Sequence, residues 1–228
     1  MASIKRFLVG AAAAGGAFAA VYWFVIRPWH LRWGATDEEV ARSLPGDDLV
    51  PNAKLNATHA VTIRAAAAEV WPWLVQIGQG RGGFYSYAWI ENMMGLDIHN
   101  ADRIIPEFQH LEVGDTIPLA PGGFGIPVAA LEAEKYLLLH GDSRTDEAAT
   151  AALNMPAGSH LAATWLFYLD EQADGTTRLI ERIHIDWGPP ALGGLDRYLF
   201  WEPGVFLMER KMLLGIKERV EAHKGARL

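Results

Sequence analysis

The chain contains no cysteine. That excludes disulfides, thiolate metal sites and a cysteine nucleophile, while fitting an oxidising or a reducing compartment equally well. It also has no basic stripe. Lysine and arginine number 20 against 27 aspartates and glutamates, giving a net charge of -7. Phosphate backbones require clustered positive charge, so no nucleic-acid partner is expected. No Gly-Lys-Ser/Thr follows the glycines at Gly78, Gly80, Gly82 and Gly83, and these follow a helical rather than a strand pattern. A phosphate loop is therefore not expected there. Ser86, Ser143 and Ser159 have no Gly-x-Ser-x-Gly surroundings, which speaks against a serine hydrolase.

What the chain has in quantity is apolar material. Half of the 228 residues are hydrophobic and nine are tryptophan. This supports one medium-sized core without covalent staples. The first long apolar run is Phe7 to Ile26, which carries no charge. Twenty helical residues at about 1.5 Å each match the ~30 Å hydrocarbon core of a bilayer. Residues 1–30 are thus expected to form a single-pass membrane anchor, with Tyr22, Trp23 and Trp29 at the interface. Ala17-Phe18-Ala19 resembles a signal-peptide cleavage site, but the bulky residues Tyr22 to Ile26 prolong the run beyond a usual signal core. Lys5 and Arg6 favour an inside amino terminus and an extracytoplasmic domain; Arg27 and Arg32 nearly cancel that bias.

Residues 31–56 read as a connector. Thr36-Asp37-Glu38-Glu39 has capping-box spacing and predicts a short helix to about Leu44. A strand is expected at Thr58 to Arg64, then a helix from Ala65 to Ile77 with Val70, Trp71, Leu74 and Ile77 on one face. Pro72 shifts the expected regular start towards Glu69. A second short helix is expected from Tyr87 to Met94. Strands follow at 115–119, 126–134, 136–140, 160–169 and 177–187, the last two joined by a turn at Ala173-Asp174-Gly175. Val205, Met208, Met212, Ile216 and Val220 recur at helical spacing, so the chain ends in a long helix. The expected class is α+β: an antiparallel sheet curved around one long C-terminal helix.

The motifs strengthen that order. AVTIRAAAAEVWPWLVQIGQGRGGFYSYAWIENMMGLDIHNADRI, VGDTIPLAP and EPGVFLMERKMLLGIKERVE resemble segments of the SRPBCC superfamily, which includes START domains, polyketide cyclases and lipid-transfer proteins. The resemblance covers residues 56 to 223, and the N-terminal span with RWGATDEEV is similar to a membrane-anchored bacterial branch. It implies a helix-grip fold over residues 57–223, with an apolar ligand held between sheet and helix. It implies no shared catalytic set, so no catalytic residue carries over.

The expected function is binding, with transfer as its extension, of a lipid or other apolar molecule at the cell membrane. The alternative is an enzyme of polyketide cyclase or dehydratase type. Candidate ligand-binding residues are Phe84, Tyr85, Tyr87, Trp89, Trp165, Trp187, Met208 and Met212. Candidate acid/base residues are Asp97, His99 and Glu181. Asp97 and Asp102 have a plainer reading as turn residues paired with Arg103. Arg81 could meet an anionic headgroup. Glu181 shares a strand face with Leu179, Ile183, Ile185 and Trp187; a carboxylate buried among them would be costly unless paired. If the facing is reversed, Arg182, His184 and Asp186 turn inward instead. No second histidine stands at metal-ligand spacing, so neither a metal site nor a cofactor is expected.

Overall fold

The computed structural model describes residues 16–17, 19–146, 155–189, 194 and 197–225. Most of the expected membrane anchor, residues 1–15 and 18, lies outside the described residues. No helix among the described residues is long and apolar enough to cross a membrane.

The strands are β1 (Leu55–Ile63), β2 (Thr116–Pro118), β3 (Gly125–Glu132), β4 (Tyr136–Asp142), β5 (His160–Glu171) and β6 (Thr177–Gly188). They form one six-stranded sheet in the order β1-β6-β5-β4-β3-β2, with every pairing antiparallel. The helices are α1 (Arg27–Leu31), α2 (Asp37–Ala41), α3 (Ala67–Val75), α4 (Ala88–Met93) and α5 (Glu202–Gly225). The α+β class and the long C-terminal helix are as expected, and the arrangement is consistent with a helix grip.

Side chains alternate across a strand, so the odd-numbered residues of β1, β5 and β6 share the inner face. Val61, Ile63, Phe167, Leu169 and Leu179 meet Met212, Leu213, Ile216 and Val220 of α5 there. Helix α3 closes the core with Val70, Trp73 and Leu74. It starts at Ala67, earlier than the proline suggested, and accommodates Pro72 inside its nine residues. Trp73 rather than Trp71 is the deeply buried aromatic, because Trp71 lies only at the margin of the cluster.

The outer face is also covered. Residues 35–50 lie across it, with Leu44 packing on Ala60, Leu138, Leu166 and Ile180. The Thr36 capping box forms as the spacing predicts, and α2 ends at Ala41 rather than near Leu44. Arg182 clamps this segment, donating to Glu39 O at 2.6 Å, Arg42 O at 2.8 Å and Asp47 Oδ2 at 2.8 Å. Residues 35–50 of the expected connector thus pack onto the sheet.

Candidate functional site

Between the inner sheet face, α4 and the start of α5 lies a cavity of about 680 Å³. Its wall is mainly apolar and includes Phe84, Ile90, Ile126, Ala163, Trp165, Ile183, Ile185, Met208 and Met212. That volume suits a small-molecule ligand. Four lining residues, Met94, Phe200, Trp201 and Leu207, are themselves exposed, so the mouth is apolar as well.

The Gly78–Ile105 stretch builds one side of this wall. Gly83 sits at φ +73°, and a Cβ there would lie 2.5 Å from Asn100 Oδ1. Only glycine adopts that conformation cheaply and leaves room for the asparagine. Asn100 Oδ1 accepts from the Phe84 and Tyr85 amides at 3.1 and 2.7 Å, and its Nδ2 donates to Ser86 O. The clasp fixes Phe84 and Ser86 on the cavity wall. Ser86 donates to Glu91 Oε1 at 2.5 Å, while among the described residues the buried Glu91 Oε2 has no hydrogen-bond partner. Burial pushes the Glu91 carboxyl above its usual range, and the Ser86 hydrogen bond opposes that shift. Glu91 is thus a polar handle within an apolar wall.

A second polar group lies at the inner end. His59 on β1 stands directly opposite Glu181 on β6 in the strand register. Both residues are buried on the inner face, which answers the facing of β6: Glu181 points inward, while Arg182 and His184 point outward. His59 Nδ1 lies 3.1 Å from Glu181 Oε2, and Trp165 Nε1 donates to Glu181 Oε1 at 2.7 Å. Glu209 reaches the same place from α5, with Oε2 3.5 Å from His59 Nδ1. Burial first, and the neighbouring Glu181 second, raise the Glu209 carboxyl well above its usual range.

The other edge of the histidine is settled by its partner. His59 Nε2 faces the backbone oxygen of His30 at 2.9 Å. A carbonyl only accepts, so Nε2 carries the proton. His30 Nε2 in turn lies 2.9 Å from Glu202 Oε1, and Arg27 Nη2 donates to Glu202 Oε2 at 3.1 Å. Phe206 packs against both imidazoles, each ring centroid 5.5 Å away. Residues 27–30, at the expected end of the anchor, therefore help support the site.

The sequence candidates fall in different places. Phe84, Trp165, Met208 and Met212 line the cavity. Tyr85 is buried in the neighbouring core, where its hydroxyl donates to Trp73 O, and Trp187 is buried beside Leu55 and Ile185; neither lines the cavity. Tyr87 is half-buried, and Trp89 is 65% exposed. Asp97 and His99 pair with each other at 2.9 Å, with exposed side chains and no share in the cavity wall. Asp102 pairs with Arg219 rather than Arg103. Arg81 turns into its own loop and donates to the Val75, Ile77 and Phe108 carbonyls, which accounts for it without an anion.

His59, Glu209, His30 and Glu202 were not singled out from the sequence. Two carried a usable signal. His59 falls on the same alternation as Val61 and Ile63, and Glu209 lies four residues after Val205 and three before Met212, on the apolar stripe of α5. An ionisable residue on a core-facing position invites the question of its partner.

No protein-family model and no curated protein matches the chain. Several solved structures are similar at low identity. A protein from Mesorhizobium loti is 17% identical, with 72% of this chain and 97% of that one covered and a TM-score of 0.38. A hypothetical protein from Helicobacter pylori is 12% identical, with 78% and 95% covered and a TM-score of 0.42. A norcoclaurine synthase point mutant from Thalictrum flavum, in complex with a transition-state analogue, is 15% identical, with 74% and 95% covered and a TM-score of 0.37. Similarity at this level bears on neither substrate nor mechanism; the site stands on its own geometry.

Proposed function

We propose that the chain binds an apolar small molecule of lipid type in the cavity between the sheet and α5, and that the apolar segment 7–26 holds it at a membrane. The observation that carries this reading is the combination of an apolar cavity of about 680 Å³ with an exposed apolar mouth at Met94, Phe200, Trp201 and Leu207. An exposed apolar rim favours a ligand that arrives from an apolar phase. The Ser86–Glu91 pair supplies a polar handle, so the ligand class carries a hydroxyl or another hydrogen-bonding group on an otherwise apolar body.

The test is extraction. The full chain is purified from membranes in detergent, and its bound molecules are identified by mass spectrometry. An environment-sensitive naphthalene dye is then titrated into the delipidated protein and competed with single-chain lipids. A stoichiometric apolar molecule and competable dye uptake support the reading. Absence of both overturns it.

One observation favours a second reading, an acid/base enzyme of the cyclase or dehydratase type. The cavity wall holds two buried carboxyl groups, Glu91 and Glu209. Recovery of the extracted molecule unchanged after prolonged incubation with wild-type protein counts against catalysis. Its conversion by wild type but not by E91Q would establish it.

A further inference from the structure

We propose that His59, Glu181 and Glu209 bind a divalent transition-metal ion of the zinc type at the inner end of the cavity. The three residues come from β1, β6 and α5, and each offers one ligand atom, all three lying within 4.8 Å of one another. Ligands about 2.1 Å from a tetrahedral zinc-type ion stand roughly 3.4 Å apart. The distances from His59 Nδ1 to Glu181 Oε2 and Glu209 Oε2 are 3.1 and 3.5 Å, on either side of that spacing.

The ring orientation already suits ligation. His59 Nε2 is committed to the His30 carbonyl, so Nδ1 is the nitrogen that faces both carboxyl groups. Without an ion, a proton has to sit between His59 Nδ1 and the facing carboxyl groups for the 3.1 Å contact to Glu181 to be favourable, and a divalent ion would take that proton's place. A divalent ion balances the two carboxylates and accepts all three lone pairs. Glu209 is nine-tenths buried, and among the described residues its only polar contact is His59 Nδ1 at 3.5 Å.

The supporting contacts have the form that metal sites use. A ligating histidine usually donates its other nitrogen to a carbonyl or carboxylate, and a ligating carboxylate is itself hydrogen-bonded. His30 O does the first for His59, and Trp165 Nε1 does the second for Glu181. A mixed imidazole and carboxylate set suits zinc, iron, cobalt or manganese better than calcium or magnesium. Glu209 and Trp165 both line the cavity, so the site borders the ligand space.

Ion binding is measured on the untagged full chain without any apolar ligand, so its outcome is separate from that of the cavity reading. The protein is stripped with chelator and titrated with Co(II), read by absorption and by elemental analysis after dialysis, then competed with Zn(II). The expected result is one ion per chain with a nitrogen/oxygen-ligated Co(II) spectrum. E209Q and H59N should weaken binding by at least ~100-fold, and W165F, which removes a positioning hydrogen bond, by about 10-fold. H99N, at the exposed Asp97–His99 pair, should bind as wild type. Failure of the wild-type chain to retain an ion overturns the proposal whatever the variants do. So does binding that E209Q leaves intact or that H99N abolishes. Should E209Q or H59N not fold, an ion-dependent rise in thermal midpoint in W165F smaller than in wild type still supports the site, and an equal rise counts against it.

Discussion

Trp165 Nε1 lies 2.7 Å from Glu181 Oε1, a hydrogen bond from an indole on the cavity wall to a carboxylate with no solvent exposure. The same carboxylate meets His59 through its other oxygen, so two polar groups depend on one acid. Removing one member of a buried polar set costs more than the set itself contributes, because the remaining groups lose their partner while still desolvated. Glu181→Ala should therefore destabilise the fold by about 3–5 kcal/mol. Glu181→Gln keeps an oxygen for Trp165 and should lose only about 1–2 kcal/mol. Urea unfolding with chelator present, so that ion binding does not enter, measures both. Equal losses would show that the hydrogen bonds are not what matters at this position.

The approach of α5 to the Gly78–Ile105 stretch gives a test in which two rules oppose each other. Alanine is a better helix former than glycine by about 1 kcal/mol, so propensity alone favours Gly215→Ala. Yet a Cβ at 215 would lie 2.2 Å from the Tyr85 carbonyl oxygen. Backbone cannot swing aside as a flexible side chain can, and overpacking of this kind costs up to about 3 kcal/mol. The expected net effect is a loss of about 2 kcal/mol, read as a lower denaturation midpoint at unchanged slope. A more stable variant would mean that the helix can lift away from Tyr85, and that the wall it supports is soft.

The elements were legible because periodicity writes them directly. Leu161, Ala163, Trp165, Phe167 and Leu169 alternate, and they do share the inner face of β5. Pairing across long separations is not written that way. His59 and Glu181 are 122 positions apart, and nothing short of the sheet order reveals that they meet. Asp97 and His99 show the opposite case: proximity in the chain makes them a pair, but exposure leaves them an ordinary surface pair. Of the aromatics dense in Phe84 to Trp89, Phe84 lies on the cavity wall. Aromatic density could not separate Phe84 from Tyr85, whose backbone at φ +57° turns its ring into the core instead.

On the outer face, His184 is buried beneath residues 35–50, and its Nδ1 is buried with no hydrogen-bond partner among the described residues. Burial, aided by Arg182, holds its pKa below the usual histidine value, and Asp47 opposes this. A base whose pKa is depressed in the folded state contributes stability that is fully present above its unfolded value, ordinarily 6.5. That stability is lost as the pH falls through the depressed folded value, because the unfolded chain binds the proton first. Wild-type stability should thus decline as the pH drops below about 6.5, and His184→Leu should flatten the decline. Thermal midpoints of both proteins between pH 5 and 8, roughly the histidine range, decide it. A parallel decline in the variant would place the acid sensitivity elsewhere.

Ala163 provides the sharpest test of the cavity, since it lines the wall from the first third of β5 with a small side chain. Its strand partner is Ile185, another wall residue, so a larger group at 163 extends towards the ligand space. Ala163→Trp should fill much of the volume and lower affinity for an apolar dye by at least ~10-fold, because the burial that drives binding scales with the area the ligand can hide. The cost to stability should stay within about 1–3 kcal/mol, since the added atoms occupy a cavity rather than displace neighbours. Dye titration and urea unfolding on the same preparation separate the two effects. Loss of binding with stability retained ties the ligand to this cavity, whereas binding that persists would place the apolar site elsewhere on the chain.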